Sequence, residues 1–219
     1  MTIFYKMALD SLLRAPVNKG VLVRKIVRFL AAIGITPNFL SFASLFFALL
    51  AGFFFALSGN SNSFNLFLLL ACIFLCLNAL LDTLDGVLAR EIGTASKKGD
   101  FLDHVIDRYS DMFILGGIIF GGYVYWEIGL IAIIGVLLTS YMGTQAQAVG
   151  LSRVYGGLIG RADRLLIIIA ATFFTLCYPY PFPASGPLSF TFLGWSLLLF
   201  AILCNITAVQ RFVYTWRRI

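Results

Sequence analysis

The chain has 219 residues, of which 60% are hydrophobic, 16% aromatic and only 12% charged. A soluble domain carries about 25% charged residues, so this composition excludes an ordinary water-soluble protein and indicates an integral membrane protein. The formal net charge of +6 would suit a nucleic-acid partner, but the basic residues are dispersed near predicted membrane boundaries, which favours anionic lipid headgroups and no nucleic acid.

The N-terminal 30 residues predict an amphipathic helix that lies on the membrane surface. Basic residues alternate there with Ile, Phe, Leu and Val, at Lys6, Arg14, Lys19, Arg24, Lys25 and Arg28. A helix of this kind buries its apolar face at the level of the headgroups, and its basic face contacts anionic lipid.

Residues 36–212 predict a bundle of six transmembrane helices, because a bilayer core is crossed by about 20 apolar residues. Windows that meet this length run roughly over 36–58, 64–90, 100–125, 128–150, 161–180 and 188–212. Thr36 is a suitable N-cap for the first window, with Pro37 at its first helical position. The predicted fold is an all-α integral membrane protein, with residues 1–219 forming a single domain.

The connections between the predicted helices indicate the orientation in the membrane. One side of the bundle receives the basic N-terminal segment together with Lys97, Lys98, Arg153, Arg161, Arg164, Arg211, Arg217 and Arg218. The other side receives Glu127 and no Lys or Arg. By the positive-inside rule, both termini of this multi-pass protein are expected on the cytoplasmic side of the cell membrane.

Seven of the ten acidic residues lie between positions 82 and 111, and six of these seven fall within the second and third predicted spans. A carboxylate at the bilayer centre costs about 2.5–3.5 kcal/mol, so these acids need a compensating partner. Residues three or four apart share a helix face. One such face carries Asp82, Asp85, Gly86 and Ala89, and the other carries Gly99, Asp103, Asp107 and Asp111. The short turn at 93–98 predicts that the two faces oppose each other near the cytoplasmic side.

Four opposed carboxylates predict a cation site, and hard oxygen ligands select Mg²⁺, Mn²⁺ or Ca²⁺ rather than zinc. Gly86 and Ala89 leave space beside the acids, and Arg90 at the mouth is suited to hold a phosphate. In the alternative interpretation, the acids pair with arginines inside the bundle, at Arg90, Arg108, Arg161 and Arg164. Asp111 is expected either to support the site or to pair with Arg108. His104, the single histidine, lies off the acidic face, in a structural role or in contact with substrate.

These residues resemble a known family. The segment from Asp82 to Asp107 matches D-x-x-D-G-x-x-A-R-x8-G-x3-D-x3-D at every specified position, which is similar to the motif of the CDP-alcohol phosphatidyltransferases. The resemblance implies a phospholipid synthase that moves a lipid phosphate from a CDP-linked donor to a hydroxyl acceptor and releases CMP. It also implies a homodimer.

The resemblance implies a role for each motif residue. Asp82, Asp85, Asp103 and Asp107 would hold Mg²⁺ or Mn²⁺ in a two-metal site. The CDP group would be bound by Asp82, Asp85, Gly86, Ala89, Arg90 and Gly99. Asp107 would also be the catalytic base that takes the proton of the acceptor hydroxyl.

Arg161 and Arg164 are similar to a paired-arginine segment in relatives that use inositol phosphate. Together with Arg153 they are candidates to bind an acceptor phosphate; ordinary membrane anchoring is the alternative. The uncharged stretch from Gly143 to Gln147 departs from those relatives and leaves glycerol phosphate open as the acceptor. The segment around Arg153 resembles archaeal members, for which the donor would be CDP-archaeol rather than CDP-diacylglycerol.

Two further alternatives concern the function. The acceptor is expected to be a small phosphorylated polyol, with serine or another unphosphorylated alcohol as the alternative. A cation transporter is the alternative from another class, because intramembrane carboxylates also line ion pathways. Here the acids are confined to one helix pair, whereas many transporters contain two related halves.

Overall fold

A computed structural model describes residues 21–59, 65–186 and 188–219, and helices account for most of them. In chain order the helices are α1 (Val21–Ala32), α2 (Pro37–Ser58), α3 (Leu66–Glu91), α4 (Lys97–Phe120), α5 (Trp126–Ala148), α6 (Arg161–Cys177) and α7 (Phe192–Trp216). Across these described ranges there is no β-strand, and an isolated bridge joins Phe182 to Phe190. The predicted all-α fold is confirmed.

The helices α2 to α7 follow the six apolar windows closely. Thr36 caps α2 as predicted, because its Oγ1 accepts a hydrogen bond from the Phe39 N–H at 3.3 Å and Pro37 is the first helical residue. Ser96 caps α4 in the same way, since its Oγ accepts from the Gly99 N–H at 3.2 Å. Each cap satisfies an N–H that the first turn of a helix leaves without a partner.

Within the described residues, four helices are long and apolar enough to cross a membrane, namely α2, α3, α5 and α7. The prediction of six transmembrane helices is therefore confirmed for these four helices. The helices α4 and α6 do not meet the same criterion of length and apolar composition. The first turns of α4 contain the charged residues of the predicted site, which lower its hydrophobicity. The other, α6, has 17 residues, and at 1.5 Å per residue its length is about 26 Å, short of the roughly 30 Å of a bilayer core.

The predicted N-terminal helix is described only in its second part, as α1, and residues 1–20 lie outside the described residues. Val27 is fully buried and packs in one cluster with Leu84 and Leu88 of α3. Arg28 Nε lies 3.3 Å from Glu91 Oε1 at the end of α3. The helix α1 is thus attached to the end of α3 that carries the acidic motif.

Tight packing of α2 against α4 sets the position of the second acidic face. Gly52 on α2 and Gly117 on α4 meet so closely that a methyl group on either residue would overlap main-chain atoms of the opposite helix. The helix α2 also packs along α3, while α5 packs along α7, and α6 contacts both α3 and α7. This arrangement brings α6 opposite the acidic faces of α3 and α4.

Candidate active site

A cavity of about 550 Å³ is lined mainly by α3, α4 and α6, with contributions from α5, α7 and the connection that precedes α6. Sites for small molecules commonly measure about 300–1,000 Å³. The charged residues that line it are the aspartates Asp82, Asp85, Asp100, Asp103 and Asp107 and the arginines Arg90, Arg108, Arg153, Arg161, Arg164 and Arg211. Cation-binding and phosphate-binding groups therefore share one cavity.

The structure brings the four predicted carboxylates together around this cavity, although they come from two helices. Gly86 lines it as well, and a methyl group at this position would lie 3.4 Å from Arg90 Nη1. Neither Ala89 nor Gly99 is among the lining residues. Gly99 lies in the first turn of α4, where its N–H is held by the Ser96 cap.

Asp85 is held from the opposite side by a serine of α2. The Ser41 hydroxyl donates to Asp85 Oδ2 at 2.6 Å, and both residues are buried. A second link between the same helices is the bond from Asn78 Nδ2 to the Ser44 carbonyl at 2.9 Å. Because the hydrogen bond constrains the carboxylate, Ser41 defines which way Asp85 faces the cavity.

Arg161 lies among the acids rather than at the cavity mouth. Its Nη1 is 2.6 Å from Asp82 Oδ2 and 2.8 Å from Asp107 Oδ1, and its Nε is 3.9 Å from Asp111 Oδ1. One guanidinium from the start of α6 thus joins the acidic faces of α3 and α4. This is an ion pair between the acids and an arginine inside the bundle, as the alternative interpretation of the sequence expects.

Two further ion pairs complete this charged cluster. Arg164 Nη2 donates to Asp111 Oδ2 at 2.8 Å, with both side chains almost fully buried. Arg108 Nη2 donates to Asp107 Oδ2 at 2.9 Å. The sequence suggested Arg108 as the partner of Asp111. In the structure, the hydrogen-bonded partner of Asp111 is Arg164, which lies one turn beyond Arg161. The two arginines share Asp111, and Arg161 in addition contacts Asp82 and Asp107.

His104 lines the cavity although it lies off the acidic face of α4. Its ring is hydrogen-bonded to Arg153 Nη1, and its Nε2 lies 3.4 Å from Asp100 Oδ1. The Arg153 guanidinium also stacks over the Tyr155 ring, with Cζ 5.0 Å from the ring centroid. The pair formed by His104 and Arg153 joins α4 to the connection before α6.

Several lining or supporting residues were missed by reasoning from the sequence. Ser41, Thr139, Ser140 and Tyr155 contain ordinary polar groups, and nothing in their spacing marks them. Arg211 was interpreted with the terminal basic residues, yet it lies within the apolar run of α7, six positions before Arg217. A charged residue within an apolar span is a signal that could have identified it.

The residues present fit a divalent metal. Four carboxylates supply only oxygen donors, which is the set that Mg²⁺ and Mn²⁺ prefer. Ligand atoms of Asp103, His104 and Asp107 lie within 4.8 Å of one another. Asp82 Oδ1 is buried and has no hydrogen-bond partner among the described residues. An acceptor oxygen of this kind, turned away from water, is suited to bind a cation.

Comparison with known proteins decides the family. A sequence profile described as CDP-alcohol phosphatidyltransferase matches residues 34–208. The chain belongs to this family. The motif-based prediction of a CDP-alcohol phosphatidyltransferase is thereby confirmed, and the chain is an enzyme of phospholipid biosynthesis rather than a transporter.

Two archaeal relatives and two solved structures resemble this CDP-alcohol phosphatidyltransferase. Archaetidylinositol phosphate synthase of Pyrococcus horikoshii is 40% identical over 152 residues, which are 69% of this chain and 77% of the relative. The protein of that name from Methanothermobacter thermautotrophicus is 30% identical over 171 residues, or 78% and 82% of the two chains.

Phosphatidylinositol phosphate synthase of Mycobacterium tuberculosis with CDP-DAG bound has the same fold, with a TM-score of 0.72, 26% identity and coverage of 90% of this chain and 94% of that chain. A structure of that synthase in complex with manganese and citrate also gives a TM-score of 0.72, at 26% identity and with 89% and 88% coverage.

Proposed function

We propose that this enzyme transfers the archaetidyl group of CDP-archaeol to inositol phosphate and releases CMP. The observation that carries the proposal is the 40% identity to an archaetidylinositol phosphate synthase, combined with a cavity that contains both carboxylates and arginines. The carboxylates suit the metal and the arginines suit the phosphates of both substrates.

The donor occupies the part of the cavity next to α3. Gly86 has no side chain to fill this part of the cavity, and the Arg90 guanidinium, which lies 3.4 Å from where a methyl group on Gly86 would be, binds a diphosphate oxygen. Ala89 supports this wall without lining it, and Gly99 acts through the first turn of α4. The lipid chains extend from the cavity into the bilayer.

Asp82, Asp85, Asp103 and Asp107 would hold two Mg²⁺ or Mn²⁺ ions. When bound, these ions neutralise the diphosphate and stabilise the charge that develops on the departing phosphate. The support for this assignment is the all-oxygen donor set, the hydrogen bond from Ser41 that orients Asp85 and the manganese complex of the mycobacterial synthase.

The acceptor phosphate binds to Arg153 and Arg161 at the α6 end of the cavity. Arg164 pairs with Asp111 at 2.8 Å and its side chain is only 4% exposed, so it supports the cluster. Arg161 pairs with acids through Nη1 as well, but its Nη2 has no hydrogen-bond partner among the described residues and is left for the phosphate. The uncharged stretch before Arg153 does not weaken this proposal, because Gln145 and Gln147 are exposed and neither lines the cavity. The positive charge on the acceptor side is supplied instead by Arg153 in the connection before α6 and by Arg161 at the start of α6.

Asp107 is the base of the transfer step. It takes the proton of the acceptor hydroxyl, whose oxygen forms a bond to the lipid-side phosphorus as the bond from that phosphorus to the bridging oxygen breaks. CMP leaves with the electron pair of the broken bond. Asp107 Oδ2 accepts a hydrogen bond from Arg108, and Oδ1 forms an ion pair with Arg161 but has no hydrogen-bond partner among the described residues, so Oδ1 is left to accept the hydroxyl proton.

The arrangement in the membrane is part of the proposal. The helices α4 and α6 are packed beside the four apolar helices, so we include them as spans in a single catalytic domain. The basic residues of α1 and of the turns before α4 and α6 orient this end of the bundle, both termini and the active site toward the cytoplasm. A homodimer remains a prediction from the family resemblance.

The substrate assignment is tested by CMP release and lipid product formation with the purified protein. CDP-archaeol and CDP-diacylglycerol are each combined with inositol phosphate, glycerol phosphate, serine, inositol and glycerol, in the presence of Mg²⁺ or Mn²⁺. We expect the fastest metal-dependent release with CDP-archaeol and inositol phosphate, and none after addition of EDTA. Preference for glycerol phosphate or serine would contradict the proposed acceptor, and preference for CDP-diacylglycerol would contradict the proposed donor.

Ser41→Ala is expected to weaken Mn²⁺ binding by about 10-fold to 100-fold, the usual effect of removing a hydrogen bond that orients a metal ligand. Titration of the purified protein with Mn²⁺, followed by electron paramagnetic resonance, measures this without turnover. Ser44→Ala is the matched control, because the Ser44 hydroxyl bonds to the Ser41 carbonyl and not to Asp85. If Ser41→Ala and Ser44→Ala bound Mn²⁺ with equal affinity, Ser41 would have no role in the metal site.

A further inference from the structure

Asn78 is a fully buried amide near the middle of α3, one of the helices that are apolar enough to cross a membrane. Its Nδ2 donates to the main-chain carbonyl of Ser44 on α2 at 2.9 Å. Its Oδ1 is also buried and has no hydrogen-bond partner among the described residues. A buried polar atom without a partner costs free energy, which offsets the stabilisation from the bond that the amide makes. Stability alone therefore does not explain an amide at this position.

The bond from Asn78 is one of two polar links between the same pair of helices. In the other link, the Ser41 hydroxyl donates to Asp85 Oδ2 at 2.6 Å. The two links lie one turn apart on α2 and two turns apart on α3. Asn78, Asp82 and Asp85 follow one another at spacings of four and three residues, so the amide shares the acidic face of α3. The link that orients a proposed metal ligand and the link from Asn78 thus belong to one helix interface.

The Ser41 hydroxyl has one proton and two acceptors within reach. The Asp85 carboxylate lies at 2.6 Å, and the Pro37 carbonyl, one turn earlier on α2, lies at 3.2 Å. Serine and threonine in a helix commonly bond to the carbonyl four residues earlier, as the Thr83 hydroxyl does with Ala79 at 2.8 Å. The choice of Ser41 therefore depends on how closely α2 is held to α3. A small displacement of α2 would make Pro37 the nearer acceptor and release Asp85.

We propose that Asn78 is a positioning residue for the metal ligand Asp85. Its bond to the Ser44 carbonyl fixes α2 against α3 in the register at which the Ser41 hydroxyl reaches Asp85, and Ser41 in turn orients the carboxylate. The inference rests on the proposed function, in which Asp85 holds a divalent ion. Asn78 is not among the residues that line the cavity, so it acts through α2 and not by contact with metal or substrate.

The test compares Mn²⁺ affinity with heat stability. Asn78→Leu is expected to weaken Mn²⁺ binding by about tenfold, the lower end of the range for groups that orient a metal ligand. The midpoint of thermal unfolding in EDTA should stay unchanged or rise, because the variant also removes the unpaired Oδ1. A residue with a merely structural role would show the reverse, lower heat stability and unchanged affinity. Titration with Mn²⁺, followed by electron paramagnetic resonance, measures the affinity without turnover.

Asn205→Leu is the matched control, because it makes the same change at another link between helices. Asn205 Nδ2 donates to the Ile131 carbonyl at 3.2 Å and so joins α7 to α5, away from α2 and α3. Its Mn²⁺ affinity should match that of the wild type. Ser44→Ala is a second control, since Asn78 bonds to the carbonyl of Ser44 and that variant retains the carbonyl.

A double variant tests whether Asn78 acts through Ser41. In Ser41→Ala the hydroxyl that Asn78 positions is already absent, so adding Asn78→Leu should not weaken Mn²⁺ binding further, whereas independent effects would multiply. Asn78→Ser keeps the test decisive if Asn78→Leu does not fold. Membrane helices accept serine at their interfaces, and its short side chain bonds within its own helix and does not reach the Ser44 carbonyl. Asn78→Ser should also weaken Mn²⁺ binding.

The outcomes separate this inference from the proposed function. If the wild type binds no Mn²⁺, the proposed metal site fails, and the coupling of Asn78→Leu with Ser41→Ala in thermal unfolding in EDTA still decides whether the two residues act as one unit. If the wild type binds Mn²⁺ and both Asn78 variants bind it equally tightly, Asn78 is not a positioning residue. Equal losses of affinity in Asn78→Leu and Asn205→Leu, or multiplying effects in the double variant, would also overturn the inference.

Discussion

Asp107→Asn is expected to abolish turnover and leave CDP-lipid binding largely intact, with kcat lower by about 10²-fold to 10⁴-fold, the range that a positioned acid–base group contributes. Asparagine has nearly the same shape and can still accept a hydrogen bond from Arg108 or Arg161, which contact Asp107 at 2.9 and 2.8 Å. An amide does not take up a proton from a hydroxyl. The measurement pairs CMP release with calorimetric titration of the CDP-lipid into detergent-solubilised protein.

The control for this variant is Glu127→Gln, which makes the same chemical change at an exposed position in the first turn of α5. It should retain full activity. Full loss of CDP-lipid binding in Asp107→Asn would argue against the base assignment and leave Asp107 as a group that holds metal or donor. Retained turnover would exclude Asp107 as the base altogether.

Arg161→Ala is expected to raise the acceptor KM by about tenfold or more, because a hydrogen bond to a charged group contributes about 1.5–3 kcal/mol. The same change removes the guanidinium that lies between Asp82 and Asp107. Metal-free protein should then be less stable to heat, since the buried Asp107 and the partly buried Asp82 lose a shared cation. The measurement combines acceptor kinetics with thermal unfolding in EDTA and in Mn²⁺.

Arg161→Lys is the matched variant, since it retains one positive charge and loses the planar fork that reaches two carboxylates at once. We expect an intermediate acceptor KM and an intermediate loss of heat stability in EDTA. An unchanged acceptor KM in Arg161→Ala, together with lowered stability in EDTA, would restrict Arg161 to pairing with the acids. Added Mn²⁺ should narrow the stability difference if it binds the same carboxylates.

Local patterns along the chain predicted the helices well. Caps and apolar length depend on neighbouring residues, so Thr36 and Pro37 identify the start of α2 without any knowledge of the fold. The same holds for the two acidic faces, because spacing of three or four residues places carboxylates on one side of a helix. The number of spans does not follow from local pattern in the same way, because the charges of α4 that make the site also lower the hydrophobicity by which a span is identified.

The partners of the arginines could not be predicted in this way. The sequence offers several arginines as possible partners of Asp111. Arg164 is the partner in the structure because α6 packs opposite α4. Arg211 was grouped with the terminal basic residues, whereas the structure buries it and bonds it to the segment before α6, unlike the exposed Arg217.

The sequence by itself determined the family, the helical architecture and the four carboxylates of the motif, because all of these are expressed in short-range spacing. Only the tertiary structure decided which side chains hold that motif in place. Ser41 reaches Asp85 across 44 positions, Arg161 reaches Asp82 across 79, and Arg211 reaches Thr139 across 72. Contacts over such separations follow from helix packing, in which each buried charge takes the nearest oriented partner that the assembled bundle provides.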